Sequence, residues 1–128
     1  YILQEASSTP EVILMATGSE VALAVASAQA LETSGISTRV VSVPCFEWLN
    51  EQTQAYKDEI LPPSIKARVS IEAGIAQGWR EYIGDCGVAV SLEHFGASAS
   101  APVLFKEFGF TPEKIVSAAK ESIAKAKA

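Results

Sequence analysis

Four short apolar or β-branched runs, at residues 12–16, 39–43, 67–71 and 88–92, recur along the chain with helix-spaced segments between them. A run of this length, bounded by turn residues, reads as a strand buried on one or both faces. Strands separated by helical crossovers run parallel, because a tight turn cannot reverse the chain and return it in the same direction. The alternation therefore confines the chain to a sheet covered by helices.

The helical segments carry their own start and stop signals. Residues 20–34 place alanine, leucine and valine at helical spacing, with Ser19 as the expected N-cap and Gly35 in the C′ position. Asn50 is the expected cap of a short helix over 51–60, which Pro62 and Pro63 end. Trp79 and Tyr82 share one face of a predicted helix over 75–83 closed by Gly84, and a further helix is predicted over 101–108 before Gly109. Thr111-Pro112-Glu113 opens the last helix with a capping hydroxyl, a proline at the first helical position and an acid in the first turn. The fold these signals predict is α/β: a three-layer α/β/α Rossmann-like domain whose sheet is mostly parallel, with room for one antiparallel edge strand.

Composition bounds the class. A chain of 128 residues that is 48% hydrophobic and 20% charged fits one folded domain with a real core, residues 1–128 together. The net charge of -5 argues against a nucleic-acid partner, since no stretch gathers enough cations to reverse it locally. Lys114, Lys120, Lys125 and Lys127 crowd at a helix C-terminus, where they complement the helix dipole. Cys45 and Cys86 lack metal-ligand spacing and read as reduced packing residues. The longest apolar runs fall far short of the ~20 residues of a membrane span, and no leader pattern is seen, so a cytoplasmic location without membrane contact is expected. Tyr1-Ile2-Leu3 opens inside an apolar strand without an initiator methionine, which suggests a piece of something longer.

Ligands of open α/β sheets bind beyond the C-terminal ends of the strands, here residues 17–20, 43–46, 72–74 and 93–98. Gly18 and Ser19 lead into a helix N-terminus, a weak candidate anion site, although no phosphate-loop glycine pattern is present and Glu20 adds negative charge. A plain turn and cap is the favoured reading. Glu72 could serve as a base, but without a neighbouring acid, histidine or ligand set it is expected to fasten its loop, with Arg68, Arg80 or His94 as partners still open. A Ser98–His94–Glu93 triad can be drawn, yet the nucleophile-elbow pattern is absent and sequence neighbours rarely face one another as a triad requires. Trp48, Trp79, Tyr56 and Tyr82 could form a stacking surface, but they are scattered, and aromatics at helical spacing are more often core or interface. No catalytic, cofactor-binding or metal-binding residue is assigned.

Ala16-Thr17-Gly18-Ser19-Glu20-Val21, Arg39-Val40-Val41-Ser42-Val43-Pro44, Arg68-Val69-Ser70-Ile71-Glu72-Ala73-Gly74, and Phe95-Gly96-Ala97-Ser98 with Phe108-Gly109-Phe110-Thr111 together resemble the C-terminal domain of transketolases, in order and spacing. The resemblance implies a larger three-domain enzyme that moves a two-carbon ketol unit from a ketose phosphate to an aldose phosphate in the pentose phosphate pathway. Thiamine diphosphate and Mg2+ or Ca2+ would be held by its first two domains across a homodimer interface. The domain resembled here carries none of the recognised catalytic residues and is structural or regulatory. The thiamine-binding Gly-Asp-Gly signature is missing, since Gly84-Asp85-Cys86 does not match it. Relatives vary at His94, and Ala99-Ser100-Ala101-Pro102 departs from the Ser-Ala-Pro some carry. Contacts to the middle domain and the second subunit are expected through Glu72, Gly74, Trp79, His94, Phe95 and Ser98. The alternative is an independent anion- or nucleotide-binding module working from the helix N-terminus at Gly18 and Ser19.

Overall fold

Neighbouring residues of a strand point to opposite faces of its sheet, so a strand that is apolar at every position must be covered on both sides. The structure is a computed structural model that describes residues 1–72, 79–91 and 111–128, and it shows this arrangement. In chain order the described elements are β1 (Ile2–Gln4), β2 (Val12–Ala16), α1 (Glu20–Thr33), β3 (Thr38–Ser42), α2 (Phe46–Glu51), α3 (Gln54–Ile60), β4 (Arg68–Glu72), α4 (Arg80–Ile83), β5 (Val88–Ser91) and α5 (Pro112–Lys127). The sheet has five strands in the order β1-β3-β2-β4-β5. β3, β2, β4 and β5 are parallel, and β1 lies antiparallel on the edge of β3. The expected mostly parallel sheet with an antiparallel edge is thus the observed one.

The two faces build two cores. Val12, Leu14, Val40, Val69 and Ile71 point to one side and are buried beneath α1 and α5 through Ala24, Ala28, Leu31, Ile115 and Ala119. Ile13, Met15, Val41 and Val43 point to the other side, under Leu49 of α2, Ile60 of α3 and Tyr82 and Ile83 of α4. Ser122 of α5, fully buried, pins its helix to the sheet. Its hydroxyl accepts from the Arg68 amide at 2.9 Å and lies 2.6 Å from the Cys86 carbonyl, to which it donates.

The segment between β1 and β2 is held by carboxylates. Glu5 receives Nε and Nη2 of Arg39 at 2.8 and 3.0 Å, while Nη1 of the same guanidinium donates to the carbonyls of Glu59 and Ile60 at 3.0 Å each. Glu32, at the end of α1, accepts from the Ser7 hydroxyl at 2.6 Å, the Ser7 amide at 3.1 Å and the Thr38 amide at 2.9 Å.

Several helix signals read from the sequence hold. Gly35, with φ at 92°, donates to the Glu32 carbonyl at 3.0 Å while Ile36 donates to Leu31 at 2.9 Å, the paired bonds of a Schellman ending. Thr111 caps α5 by accepting the Lys114 amide at 3.2 Å. Two others are corrected. Ser19 holds the N-cap position of α1 but makes no side-chain cap bond: its backbone is already α-helical, with φ -68° and ψ -19°, and its hydroxyl turns to Glu20 at 3.2 Å. The helix expected over 51–60 is two helices, because Thr53 breaks the run and caps α3 by accepting the Tyr56 amide at 3.2 Å. Asn50 therefore lies inside α2 and caps nothing; its side-chain oxygen receives the Tyr82 hydroxyl. Of the helix predicted over 75–83 the described part is α4, and residues 101–108 lie outside the described residues.

Candidate functional site

The order of the parallel strands fixes where a ligand crevice would lie. From β2 the chain crosses by α1 to β3 on one flank, and from β3 it crosses by α2 and α3 to β4 on the other. The C-terminal ends of β2 and β4 therefore diverge at a topological switch point, the place where doubly wound sheets bind ligands. Thr17, Gly18 and Ser19 stand at the end of β2, and Glu72 at the end of β4, so the fold brings these sequence candidates to one edge.

At the end of β2 the space is taken by the chain itself. Gly18 turns with φ at 59°, and a methyl group on it would lie 3.9 Å from Oε2 of Glu20. The Glu20 carboxylate is buried and folded back on the first turn of α1, where it takes the Ser19 hydroxyl. A negative group already meets the positive end of the helix dipole. The described residues there do not fit a diphosphate, which needs open N–H groups and positive charge.

At the end of β4 the half-buried Glu72 accepts from the indole N–H of Trp79. Trp79 is fully buried, so it meets no surface itself; it stands behind Glu72 in the core. Phe46 of α2 meets the Trp79 ring edge-on at 4.6 Å between centroids and stacks on Tyr82 at 6.0 Å. Burial, with the charge of Glu81, raises the Tyr82 hydroxyl above its ordinary value, so it stays a neutral donor to Asn50. The Glu72 carboxylate is thus committed to a structural donor.

Of the candidate partners of Glu72, Arg68 is engaged elsewhere, Arg80 is exposed and His94 lies outside the described residues. Arg68 donates to four backbone carbonyls, Ile65 at 3.0 Å, Tyr82 at 2.6 Å, Leu61 at 3.2 Å and Pro62 at 3.0 Å. Burial holds its guanidinium below the ordinary value. Arg80 is exposed on α4. Gly74, His94, Phe95 and Ser98 lie outside the described residues, as does the triad drawn on Glu93, His94 and Ser98. Among the described residues no group of three or more His, Cys, Asp or Glu side chains could hold a metal ion. No helix among them is long and apolar enough to cross a membrane.

One surface was not legible in the sequence. Beyond the end of β3, Tyr1, Pro44, Cys45, Trp48, Leu49 and Tyr56 line a groove of about 230 Å³. Its aromatics come from separate stretches, Tyr1 before β1, Trp48 on α2 and Tyr56 on α3, so no local pattern joins them; the signals available were that Pro44 and Cys45 lie at a strand end and that Trp48 and Tyr56 were among the candidate stacking aromatics.

These features define a doubly wound α/β layer domain in which the two switch-point carboxylates, Glu20 and Glu72, are bound to the domain's own groups. A family model described as the transketolase-like C-terminal domain matches residues 1–111. The chain is 51% identical over 125 residues to the transketolase of Mycobacterium leprae, covering 94% of this chain and 18% of that protein. Among solved structures it resembles the transketolase from Leishmania mexicana with a TM-score of 0.89 at 36% identity, covering 100% of this chain and 18% of that one. The transketolase of Pichia stipitis in complex with sedoheptulose 7-phosphate gives a TM-score of 0.89 at 37% identity, covering 99% of this chain and 18% of that one. The chain belongs to the transketolase family and corresponds to its C-terminal domain. It spans less than a fifth of the length of these relatives.

Proposed function

We propose that residues 1–128 are the single, non-catalytic C-terminal domain of a cytoplasmic, homodimeric transketolase. In this reading the full-length protein transfers a two-carbon ketol group between sugar phosphates in the pentose phosphate pathway. Thiamine diphosphate and Mg2+ or Ca2+ are held in its other domains, and this domain serves as a structural or regulatory support for them. The end of the sheet that carries Glu72, together with Gly74, His94, Phe95 and Ser98, contacts the middle domain or the second subunit, and Trp79 braces Glu72 from behind.

The observation that carries the non-catalytic reading is the bond from the Trp79 indole to Glu72. The bond fastens the end of β4 to the core, which is the structural role this reading gives Glu72. The Glu20 carboxylate over the α1 N-terminus disfavours the rival reading of an independent anion- or nucleotide-binding module.

The test compares the full-length protein with the 128-residue chain, each supplied with ketose and aldose phosphates, thiamine diphosphate and magnesium. Ketol transfer is expected from the full-length protein and none from the chain. Turnover by the chain overturns the non-catalytic reading, and an inactive full-length protein overturns the assigned reaction. Saturable binding of a sugar phosphate or nucleotide to the chain below about 1 mM would favour the module instead.

A further inference from the structure

Arg68 walls two clefts at the end of the sheet where β4 and β5 begin, opposite the end that carries Gly18 and Glu72. One, of about 300 Å³, is lined by Pro63, Lys66, Arg68 and the turn at 83–86. In the other, Asp58 and Glu81 match the charges of Lys57 and Arg68. In the first, the carboxylate of Asp85 alone stands against two cations, Lys66 and Arg68, among the described residues. Of the two, the first therefore carries the excess positive charge. It also has donors to spare. A guanidinium has five N–H groups, and the bonds of Arg68 to described residues use four of them. Lys66 and Asp85 are exposed and enter no ion pair among the described residues. In the turn before β5 the Gly84 amide bonds the Arg80 carbonyl and the Gly87 amide bonds the Gly84 carbonyl, while the Asp85 and Cys86 amides between them have no acceptor among the described residues.

We propose that this cleft binds inorganic phosphate through Lys66, the remaining Arg68 N–H and the amides of Asp85 and Cys86. Cations and successive backbone amides around one concavity make an oxyanion site. A tetrahedral oxyanion offers an acceptor to each of these donors, which a halide cannot. The guanidinium, held below its ordinary value by burial, is stabilised in its charged form by an anion beside it. The Asp85 carboxylate opposes the ligand, so the site is weak and fills at a few millimolar. It lies at the opposite end of the sheet from Gly18 and Ser19 and does not depend on the helix N-terminus there.

Cys86 lines the cleft and is partly exposed, so its alkylation by iodoacetamide, read peptide by peptide with mass spectrometry, reports the site in the full-length protein. Saturating phosphate is expected to slow the alkylation by about threefold or more, because a bound anion covers the thiol and disfavours its thiolate. Sodium chloride at equal ionic strength is the reference, and Cys45, beyond the end of β3, is the internal control. Lys66→Gln, at an exposed position, is expected to abolish the protection. Equal rates in phosphate and chloride, equal slowing of Cys45, or protection that persists in Lys66→Gln overturns the proposal. Where Cys86 stays unlabelled even in chloride, hydrogen exchange of the peptide containing Asp85 and Cys86 is read instead, and exchange that phosphate does not slow overturns the proposal in the same way. These readouts are local to the cleft, so the inference can fail while the assigned reaction stands.

Discussion

Arg68 gives its guanidinium to four carbonyls and, among the described residues, to no carboxylate, which makes it a cationic clamp on the turn before β4 and on the end of α4. Hydrogen bonds to a charged donor contribute more than neutral ones, and a planar fork reaches several acceptors that one ammonium cannot. Arg68→Ala is expected to lower unfolding stability by about 2–4 kcal/mol, and Arg68→Lys to recover less than half of that, both measured by urea denaturation. The contact of Arg39 with Glu5 acts first through its hydrogen bonds. Arg39's hydrogen bonds, joined by the Ala6 amide and the Arg39 charge, hold the Glu5 carboxyl below its ordinary value of 4.5 against a smaller effect of desolvation. Glu32 is lowered from 4.5 as well, by the Ser7 hydroxyl first and then by the Thr38 and Ser7 amides. A carboxyl lowered on folding stabilises the fold above its unfolded value, and that contribution is lost as pH falls through the lower folded one. Stability is therefore expected to drop below about pH 4.5 more steeply in the wild type than in Glu5→Gln, with a small difference because solvent screens the exposed carboxylate. Parallel pH profiles for the two proteins would show that the Glu5 contact contributes nothing. None of these bonds was readable in advance, since Arg39 and Glu5 are distant in sequence and nothing local pairs them.

The strands were the legible elements. Their runs of Val, Ile, Leu and Met need cover on both sides, and that requirement alone predicts four parallel strands between helices. The errors fell at helix starts, where a single hydroxyl decides. Asn50 and Thr53 are both capping residues, and only the folded chain shows that Asn50 is drawn away by Tyr82 while Thr53 caps α3. Ser19 failed for a related reason, because the turn at Gly18 sets a helical backbone one residue early and Glu20 claims the hydroxyl. The link between α4 and β5 has less tolerance than either neighbour. A Cβ on Gly87 would overlap Cβ and the carbonyl oxygen of Ile83, which is backbone and cannot swing aside. Gly87→Ala is expected to cost about 1–3 kcal/mol in thermal or urea unfolding. Gly35→Ala, at the positive φ of the α1 ending, is expected to cost about 1 kcal/mol. Equal stability of the Gly87 variant and the wild type would show that the α4–β5 turn relaxes freely.

Across the whole domain, stability follows the sheet from its centre outward. β2 and β4 are each paired on both sides and covered on both faces, whereas β1 has one partner and only three residues. Native-state hydrogen exchange should therefore find the slowest amides in β2 and β4 and the fastest strand amides in β1. Uniform protection across the sheet would contradict this gradient. The strand order also explains why the candidate site was only half legible. The sequence placed Gly18, Ser19 and Glu72 at strand ends, but the side-chain contacts that commit Glu20 and Glu72 depend on Trp79 and on a turn no motif encodes. The apolar groove was not legible, because it exists only once β1 lies against β3 and brings Tyr1 beside Trp48.

The antiparallel edge has a consequence for synthesis. Ile2–Gln4 leaves the ribosome before Thr38–Ser42, its one strand partner among the described residues, so the nascent chain carries this strand without that partner until more than thirty further residues have emerged. β1 thus joins the sheet only after β3 has emerged, and the wall that Tyr1 gives the groove is completed only then.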